Sequence, residues 1–231
     1  MVGHSFYKGV SNRRPCFIFH PILCTIRHET DQIMQQGMTL HVPIHLLPYP
    51  SPCGLLLLGC YDHRLCLCDW VASKRHEHNM STLLHTLQTT FSHTPSPTTQ
   101  TAARLLDEYF AHRRDTFELP LLTIGTDFQR KVWDALLTVP YGATVTYQQL
   151  ATRIGHPKSA RAVGVAVGSN RISIFLPCHR IVGAGHKLGG FAGGVAAKRR
   201  LLQLEADHVT TEAQTIHQTE IYKDVSSVAS F

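Results

Sequence analysis

From residue 41 onward the apolar positions first come in short runs and only later take helical spacing. His41-Val42-Pro43-Ile44, Gly54 to Gly59 and Leu65 to Trp70 have strand length. Tyr61-Asp62-His63-Arg64 lies between the last two, so a β-hairpin is expected. Asn79 to Phe91 and Thr101 to Arg113 read as helices. The second sets Ala103, Leu106, Tyr109 and Phe110 on one face behind the breaker Thr94-Pro95-Ser96-Pro97. Residues 41–119 therefore read as a small α+β domain. Phe117 to Leu121 is an extended connector, because Pro120 cannot continue a helix and biases Leu119 away from one.

A second domain is expected over 120–207. Thr126 or Asp127 can cap a helix carrying Phe128, Val132, Trp133, Leu136 and Leu137, which Val139-Pro140-Tyr141-Gly142 ends; Trp133 reads as core. Thr146 can cap a helix from Tyr147 to Ile154 that Gly155 stops, and Pro157 precedes a second helix from about Ser159 to Val167. Two short helices meeting at a tight turn have the shape of a helix-turn-helix. The second offers Ala160, Ala162, Gly164 and Ala166 with Arg161 as its one long cation, so its backbone can come close to a partner. A nucleic-acid groove and a tightly packed neighbouring helix both fit that surface. Another helix is expected from Ala196 to Ala206. Residues 1–40 lack sustained periodicity and read as a disordered extension or an upstream start-site artefact, with Met38 as the functional first residue; 208–231 read as a flexible, Thr- and Gln-rich tail.

Composition narrows the class. With 231 residues, 43% hydrophobic and 16% charged, the chain is too apolar for a disordered protein and lacks the bias of collagen or a coiled coil. No apolar run approaches the roughly 18–20 residues of a membrane helix, so a soluble protein with no membrane partner is expected. The net charge is +6, and it is concentrated: residues 121–205 hold eleven Lys and Arg against Asp127, Asp134 and Glu205. Such a basic domain suits a polyanion. Seven cysteines without a signal-peptide pattern point to reduced thiols in a cytoplasmic protein, or a nuclear one in a eukaryote.

Cys178 stands apart from the other six. An apolar, strand-like entry from Ile172 to Leu176 leads through Pro177 into Cys178-His179-Arg180 and then a glycine loop. The thiolate is the nucleophile, and its pKa falls beside Arg or protonated His, so this setting could produce a reactive sulfur near neutral pH. A buried structural cysteine fits the three residues equally well. Neighbouring side chains point apart in a strand, so His179 would reach Cys178 through a turn or a bridging water. Glu205 is then the carboxylate available to orient the ring.

Leu176-Pro177-Cys178-His179-Arg180-Ile181-Val182, Val139-Pro140-Tyr141-Gly142, Thr146-Tyr147-Gln148-Gln149-Leu150-Ala151, Ala160-Arg161-Ala162-Val163-Gly164 and Phe191-Ala192-Gly193-Gly194 appear in this order. Together they resemble the O6-alkylguanine-DNA alkyltransferases, also called methylated-DNA–protein-cysteine methyltransferases. The likeness is strong over about 120–207 and weak over about 41–119. It implies an RNase H-like N-terminal domain and a helical C-terminal domain with a winged helix-turn-helix-like motif. It also implies one irreversible transfer of an alkyl group from O6 of guanine, or O4 of thymine, to Cys178, with no cofactor and with the protein consumed as a monomer on alkylated duplex DNA.

The same resemblance makes His179, a water and Glu205 the activating relay and Asn170 a supporting hinge. Tyr147 would rotate the target phosphate and donate a proton to the departing guanine. Arg161 would fill the vacated base stack, and Ala160, Ala162 and Gly164 would lie in the minor groove. Arg153 and Lys158 would contact the backbone, as would the Lys198-Arg199-Arg200 cluster, which also reads as a solvated helix face. Pro177, Phe191, Ala192 and Gly193 would wall the alkyl pocket. Two positions depart from the pattern: Arg171 follows Asn170 where proline is common, and Phe191 stands where tyrosine is usual. Four glycines, at 189, 190, 193 and 194, suit either a pliable loop or closed turns. Cys60, His63, Cys66, Cys68, His76 and His78 are competent zinc ligands, but their spacing is not that of a zinc knuckle and no metal is assigned. A binding-only sensor of alkylation damage or a transcriptional regulator of the same fold, and a cysteine hydrolase, are the competing classes.

Overall fold

The computed structural model describes residues 42–209. Expectations for residues 1–40 and for the tail beyond Val209 fall outside them. The N-terminal half is a four-stranded sheet: β1 (Ile44–Ser51), β2 (Gly54–Tyr61), β3 (Arg64–Trp70) and the short β4 (Phe91–Ser92), in the order β3-β2-β1-β4. The three long strands form an antiparallel meander, and β4 joins β1 in parallel. Asp62 and His63 both take positive φ, which lets a two-residue loop close the expected hairpin. The first strand starts later than the apolar run suggested and includes Pro48 and Pro50. It tolerates them because β4 pairs only with Ile44 and His45, leaving the rest of β1 at an edge.

Two helices complete this half. Helix α1 (His76–Leu87) begins three residues before the expected Asn79 and ends before Phe91, which is a strand residue. Helix α2 (Pro97–Phe110) packs on the sheet through Ala102, Leu105, Leu106 and Tyr109. The sequence Pro95-Ser96-Pro97, read as a breaker, is the start of α2: Ser96 Oγ accepts the Thr99 N–H at 3.2 Å and Pro97 occupies the first helical position, where its missing N–H costs nothing.

In the C-terminal half the capping signals operate as read. Thr126 caps α3 (Asp127–Leu136) and Thr146 caps α4 (Tyr147–Arg153), each with a glutamine three residues on that closes a capping box. Gly155, at φ 77°, stops α4, and α5 (Ala160–Gly168) follows. Val163, Ala166 and Val167 bury one face of α5, and Trp133 Nε1 donates to Ala166 O at 2.8 Å, which fixes α3 against α5. Two short parallel strands, β5 (Val145–Thr146) and β6 (Ile181–Val182), lie beyond, and residues 194–209 form the helix α6.

The two halves share a core cluster that includes Leu56 and Leu58 from the sheet and Leu136, Leu150 and Leu201 from the helices. Backbone contacts reinforce this: Leu65 N donates to Pro120 O on the connector, and Cys68 N donates to Arg171 O, both at 2.8 Å. The arrangement is mixed α/β. One expected element is absent. Residues 172–176 are a tight turn rather than a strand, with Ser173 bridging Leu176 and Ile174 at φ 73°. The apolar side chains there are buried, which a strand also achieves, so composition alone could not separate the two.

Candidate active site

Asn170 builds that turn. Its Oδ1 accepts the Ile172 N–H at 2.9 Å and its Nδ2 donates to Leu176 O at 3.0 Å, so one side chain closes the loop on both sides. Arg171, where proline is common in the family, does not disturb it; its Nη1 donates to Ile124 O at 2.8 Å, just before α3. Pro177 then leads into a single 3-10 turn, Cys178–Arg180, that ends at β6. The turn points three consecutive side chains inward, and Cys178 is only 6% exposed.

His179 and Arg180 both reach Glu205 on α6. His179 Nε2 lies 2.7 Å from Glu205 Oε1, while Arg180 Nε donates to Oε2 at 2.9 Å and Arg180 Nη2 to Oε1 at 3.0 Å. Tyr109 Oη, from α2, donates to Oε1 at 2.8 Å, and the Gly142 N–H donates to Oε2 at 3.0 Å. Arg180 is further held by Val139 O at 2.7 Å and lies under the Tyr141 ring at 5.5 Å. Burial alone would raise the Glu205 pKa, but the hydrogen bonds and charges of His179 and Arg180 outweigh it and hold the carboxyl at about 2. The carboxylate accepts only, so the proton of the neutral imidazole sits on Nε2 and leaves Nδ1 as a lone pair. That Nδ1 is buried and has no partner among the described residues. Burial pushes the His179 pKa down more than Glu205 pulls it up, and Arg180 and Lys198 push it further down, so the ring is neutral.

The lowering of the thiol pKa that adjacent Arg180 and His179 suggest is not what the geometry favours. Burial drives the Cys178 thiol above its ordinary pKa, and the Asn170 amide, the Lys198 ammonium and the Ser173 hydroxyl offset this only in part. Adjacent Arg and His lower a thiol pKa when they face it, and here both are turned toward Glu205 instead. The site therefore pairs a protonated sulfur with a neutral imidazole whose free nitrogen can take a proton.

Lys198 corrects another expectation. Read with Arg199 and Arg200 as one cationic patch, it is separate from them: the two arginines are exposed, whereas Lys198 is 1% exposed and its Nζ donates to Ile181 O. Its charge faces Cys178, and burial holds its pKa down. Sequence gave no signal for this, because a lysine on an exposed-looking helix face is ordinarily solvated.

The remaining candidates lie around the sulfur and along α5. Tyr147, at the start of α4, fits between Gly164 of α5 and Gly189 of the following loop, where an added Cβ would lie 3.7 Å and 3.4 Å from its ring and hydroxyl. Its pKa is raised, by burial first and then by Cys178. Arg161 and Ala162 on α5 are exposed with Val165, which at 64% is strongly exposed for an apolar residue and was not singled out from sequence. Ala160 and Gly164 are half-buried beside them, and Arg153 and Lys158 are exposed at the turn between the helices. One face of α5 thus packs on α3, taking Ala166 out of the small open surface read from the sequence, and the face bearing Arg161, Ala162 and Val165 is exposed.

Pro177 is buried, and Phe191, Ala192 and Gly193 are half-buried. Phe191 meets the edge of Trp70 at 5.8 Å, bringing a β3 residue to this loop. The candidate zinc ligands separate: Cys60, Cys66 and Cys68 are buried within strands, and His76 bonds Asp69 at 3.3 Å. Among the described residues no cluster of three or more His, Cys, Asp or Glu is placed to hold a metal.

Residues 127–207 match the family model for the 6-O-methylguanine DNA methyltransferase DNA-binding domain. A methylated-DNA–protein-cysteine methyltransferase of Mycobacterium bovis is 47% identical over 164 residues, covering 70% of this chain and 92% of that protein. One from Haemophilus influenzae is 40% identical over 158 residues, covering 68% and 83%. The crystal structure of Mycobacterium tuberculosis OGT in complex with DNA superposes with a TM-score of 0.61 at 39% identity, covering 71% of this chain and 94% of that one.

Proposed function

The chain belongs to the methylated-DNA–protein-cysteine methyltransferase family, and we propose that Cys178 is the acceptor to which it transfers the alkyl group. The protein repairs DNA by moving the alkyl group of O6-alkylguanine onto itself. The observation that carries the assignment is the buried row Cys178, His179, Glu205, in which the imidazole offers an unpartnered Nδ1 and is fixed through Nε2 by a carboxylate.

The chemistry follows from the protonation states. The Cys178 thiol passes its proton, through a bridging water, to His179 Nδ1, and the imidazolium so formed is stabilised by Glu205. The sulfur attacks the alkyl carbon at O6, the S–C bond forms and the C–O bond breaks, leaving a guanine anion. Tyr147, kept protonated by its raised pKa, donates a proton to that anion and is restored from the imidazolium. A thioether carbon carries no competent leaving group, so the transfer is irreversible and each molecule acts once.

A base stacked in duplex DNA cannot reach a sulfur only 6% exposed, so the lesion is extruded, at a cost of a few kcal/mol that weakened pairing lowers. The pair α4 and α5 takes the winged helix-turn-helix-like role that the family implies and presents Arg161, Ala160, Ala162 and Gly164 to the minor groove. Arg161 enters the gap left by the base, and Arg153 and Lys158 contact phosphates in a sequence-independent, salt-dependent manner. The sheet half takes the RNase H-like role that the family implies, and the protein acts as a monomer without a metal.

Incubation with a duplex holding a single O6-methylguanine, followed by peptide mapping, tests the assignment. One methyl on the Cys178 peptide, absent in Cys178→Ser although that variant still binds the duplex, is the expected result. A methyl on another residue, or none from a folded protein, refutes it.

A further inference from the structure

We propose that Val165, on the exposed face of α5, makes repair depend on the bases beside the lesion, favouring A·T over G·C where its side chain meets the minor groove. This rests on the reading that α5 enters that groove with Arg161 in the gap left by the base. Val165 is 64% exposed, on a helix whose other valines, Val163 and Val167, are buried. It lies four residues after Arg161 and three after Ala162, so all three share one exposed face. Ala162 and the exposed Gly168 flank it there, and an added Cβ at Gly168 would meet nothing within 4 Å. The isopropyl group therefore stands above its neighbours.

Charge and rigidity point to DNA as what covers this group. Val165 shares its face with Arg161, Arg153 and Lys158 are exposed at the turn just before α5, and residues 121–205 hold eleven Lys and Arg against three acids. That setting suits a polyanion better than an apolar protein partner, and it lies within the stretch that matches the DNA-binding domain. The helix cannot roll, because Trp133 Nε1 holds Ala166 O on its buried side. A β-branched side chain in a helix keeps essentially one χ1 rotamer, so the two methyl groups are fixed as well. In the minor groove both kinds of pair present the purine N3 and pyrimidine O2 acceptors, and G·C alone adds the guanine N2 amino donor. The shared acceptors cancel, so the amino group sets the difference. An isopropyl group pressed against it removes its water and offers no acceptor in return, a loss that A·T does not incur. Four helical residues rise about 6 Å and base pairs stack about 3.4 Å apart, so Val165 falls within about two pairs of the lesion.

The test uses the full chain and duplexes holding one O6-methylguanine. The first and second pairs on either side of the lesion are set in turn to A·T, G·C or inosine·C, the last being G·C without the amino group. Second-order rate constants of methyl transfer are read from intact protein mass for the wild type and for Val165→Ala. Weaker neighbouring pairs ease extrusion for both proteins alike, so the comparison between them isolates the side chain. At one position or more, the wild-type preference for A·T over G·C exceeds that of the variant by about three- to tenfold, and inosine·C groups with A·T. Context ratios that agree between the two proteins at every position, or inosine·C grouping with G·C, overturn the proposal even where the lesion is repaired. A wild type inert toward all the duplexes overturns instead the repair reading on which the proposal stands.

Discussion

Replacing Glu205 with glutamine keeps the shape of the side chain and removes its charge, and the geometry around it sets the cost. Its two oxygens accept from Tyr109, His179, Arg180 and the Gly142 N–H. A glutamine offers one oxygen and an amide that is itself a donor, so half of the site becomes donor facing donor, and the Arg180 guanidinium is left buried without a counter-charge. Removing one partner of a buried ion pair costs about 3–5 kcal/mol. With a urea dependence of about 2 kcal/mol per molar, the unfolding midpoint of Glu205→Gln is expected to fall by about 1.5–2.5 M. The variant also loses the acceptor that fixes the His179 proton on Nε2, so methyl transfer by the remaining folded protein slows at least tenfold. Urea melts followed by fluorescence, with single-turnover transfer measured below the transition, give both quantities. A midpoint within about 0.3 M of the wild type together with an unchanged transfer rate would show that the carboxylate neither anchors the core nor orients the base.

Three further outcomes follow from the same site. Lys198→Met removes the ammonium that favours the Cys178 anion, so the pH profile of thiol alkylation by iodoacetamide moves to higher pH; an unmoved profile contradicts the placement of that charge. Gly193→Ala forces a methyl group into the fixed Trp70 indole and destabilises by about 1–3 kcal/mol, the usual cost of overpacking, visible as a lowered Tm; an unaltered melt means the loop does not rest on Trp70. Stability also depends on pH. Glu205 is held at about 2 against an ordinary 4.5, so its contribution is complete above pH 4.5 and is lost as pH falls toward 2. His179 is kept neutral by burial, so protonation of the unfolded chain subtracts stability below about pH 6.5. Urea midpoints that stay flat from pH 7 to 3 refute both.

What the sequence reveals here depends on how local the determinant is. Thr126 and Thr146 announced their helices because a cap and its glutamine partner lie three residues apart, and the Cys178-His179 pair was conspicuous because its members are adjacent. Ser96-Pro97 carried the same kind of signal and was read as a break, since proline both stops a helix and starts one. The 172–176 turn was hidden because buried apolar residues look alike in a strand and in a turn that a neighbouring asparagine closes. Tyr109 showed an apolar helical face, and nothing local indicated that its hydroxyl would meet a carboxylate 96 residues later. Lys198 was hidden for a related reason: whether a helical lysine is solvated or buried against the site depends on what packs over it. Adjacency in sequence suggests two cations beside the thiol, whereas the 3-10 turn directs His179 and Arg180 to Glu205.

Titration of the protein with an excess of duplex bearing O6-[methyl-³H]methylguanine tests the central claim most directly. Acid-stable label is expected to rise to one methyl per molecule and stop, with all of it on Cys178 and the DNA released as unmodified guanine. Label that keeps leaving the DNA after every molecule of protein has been accounted for, or that never becomes attached to the protein, would contradict a self-consuming transfer to that sulfur.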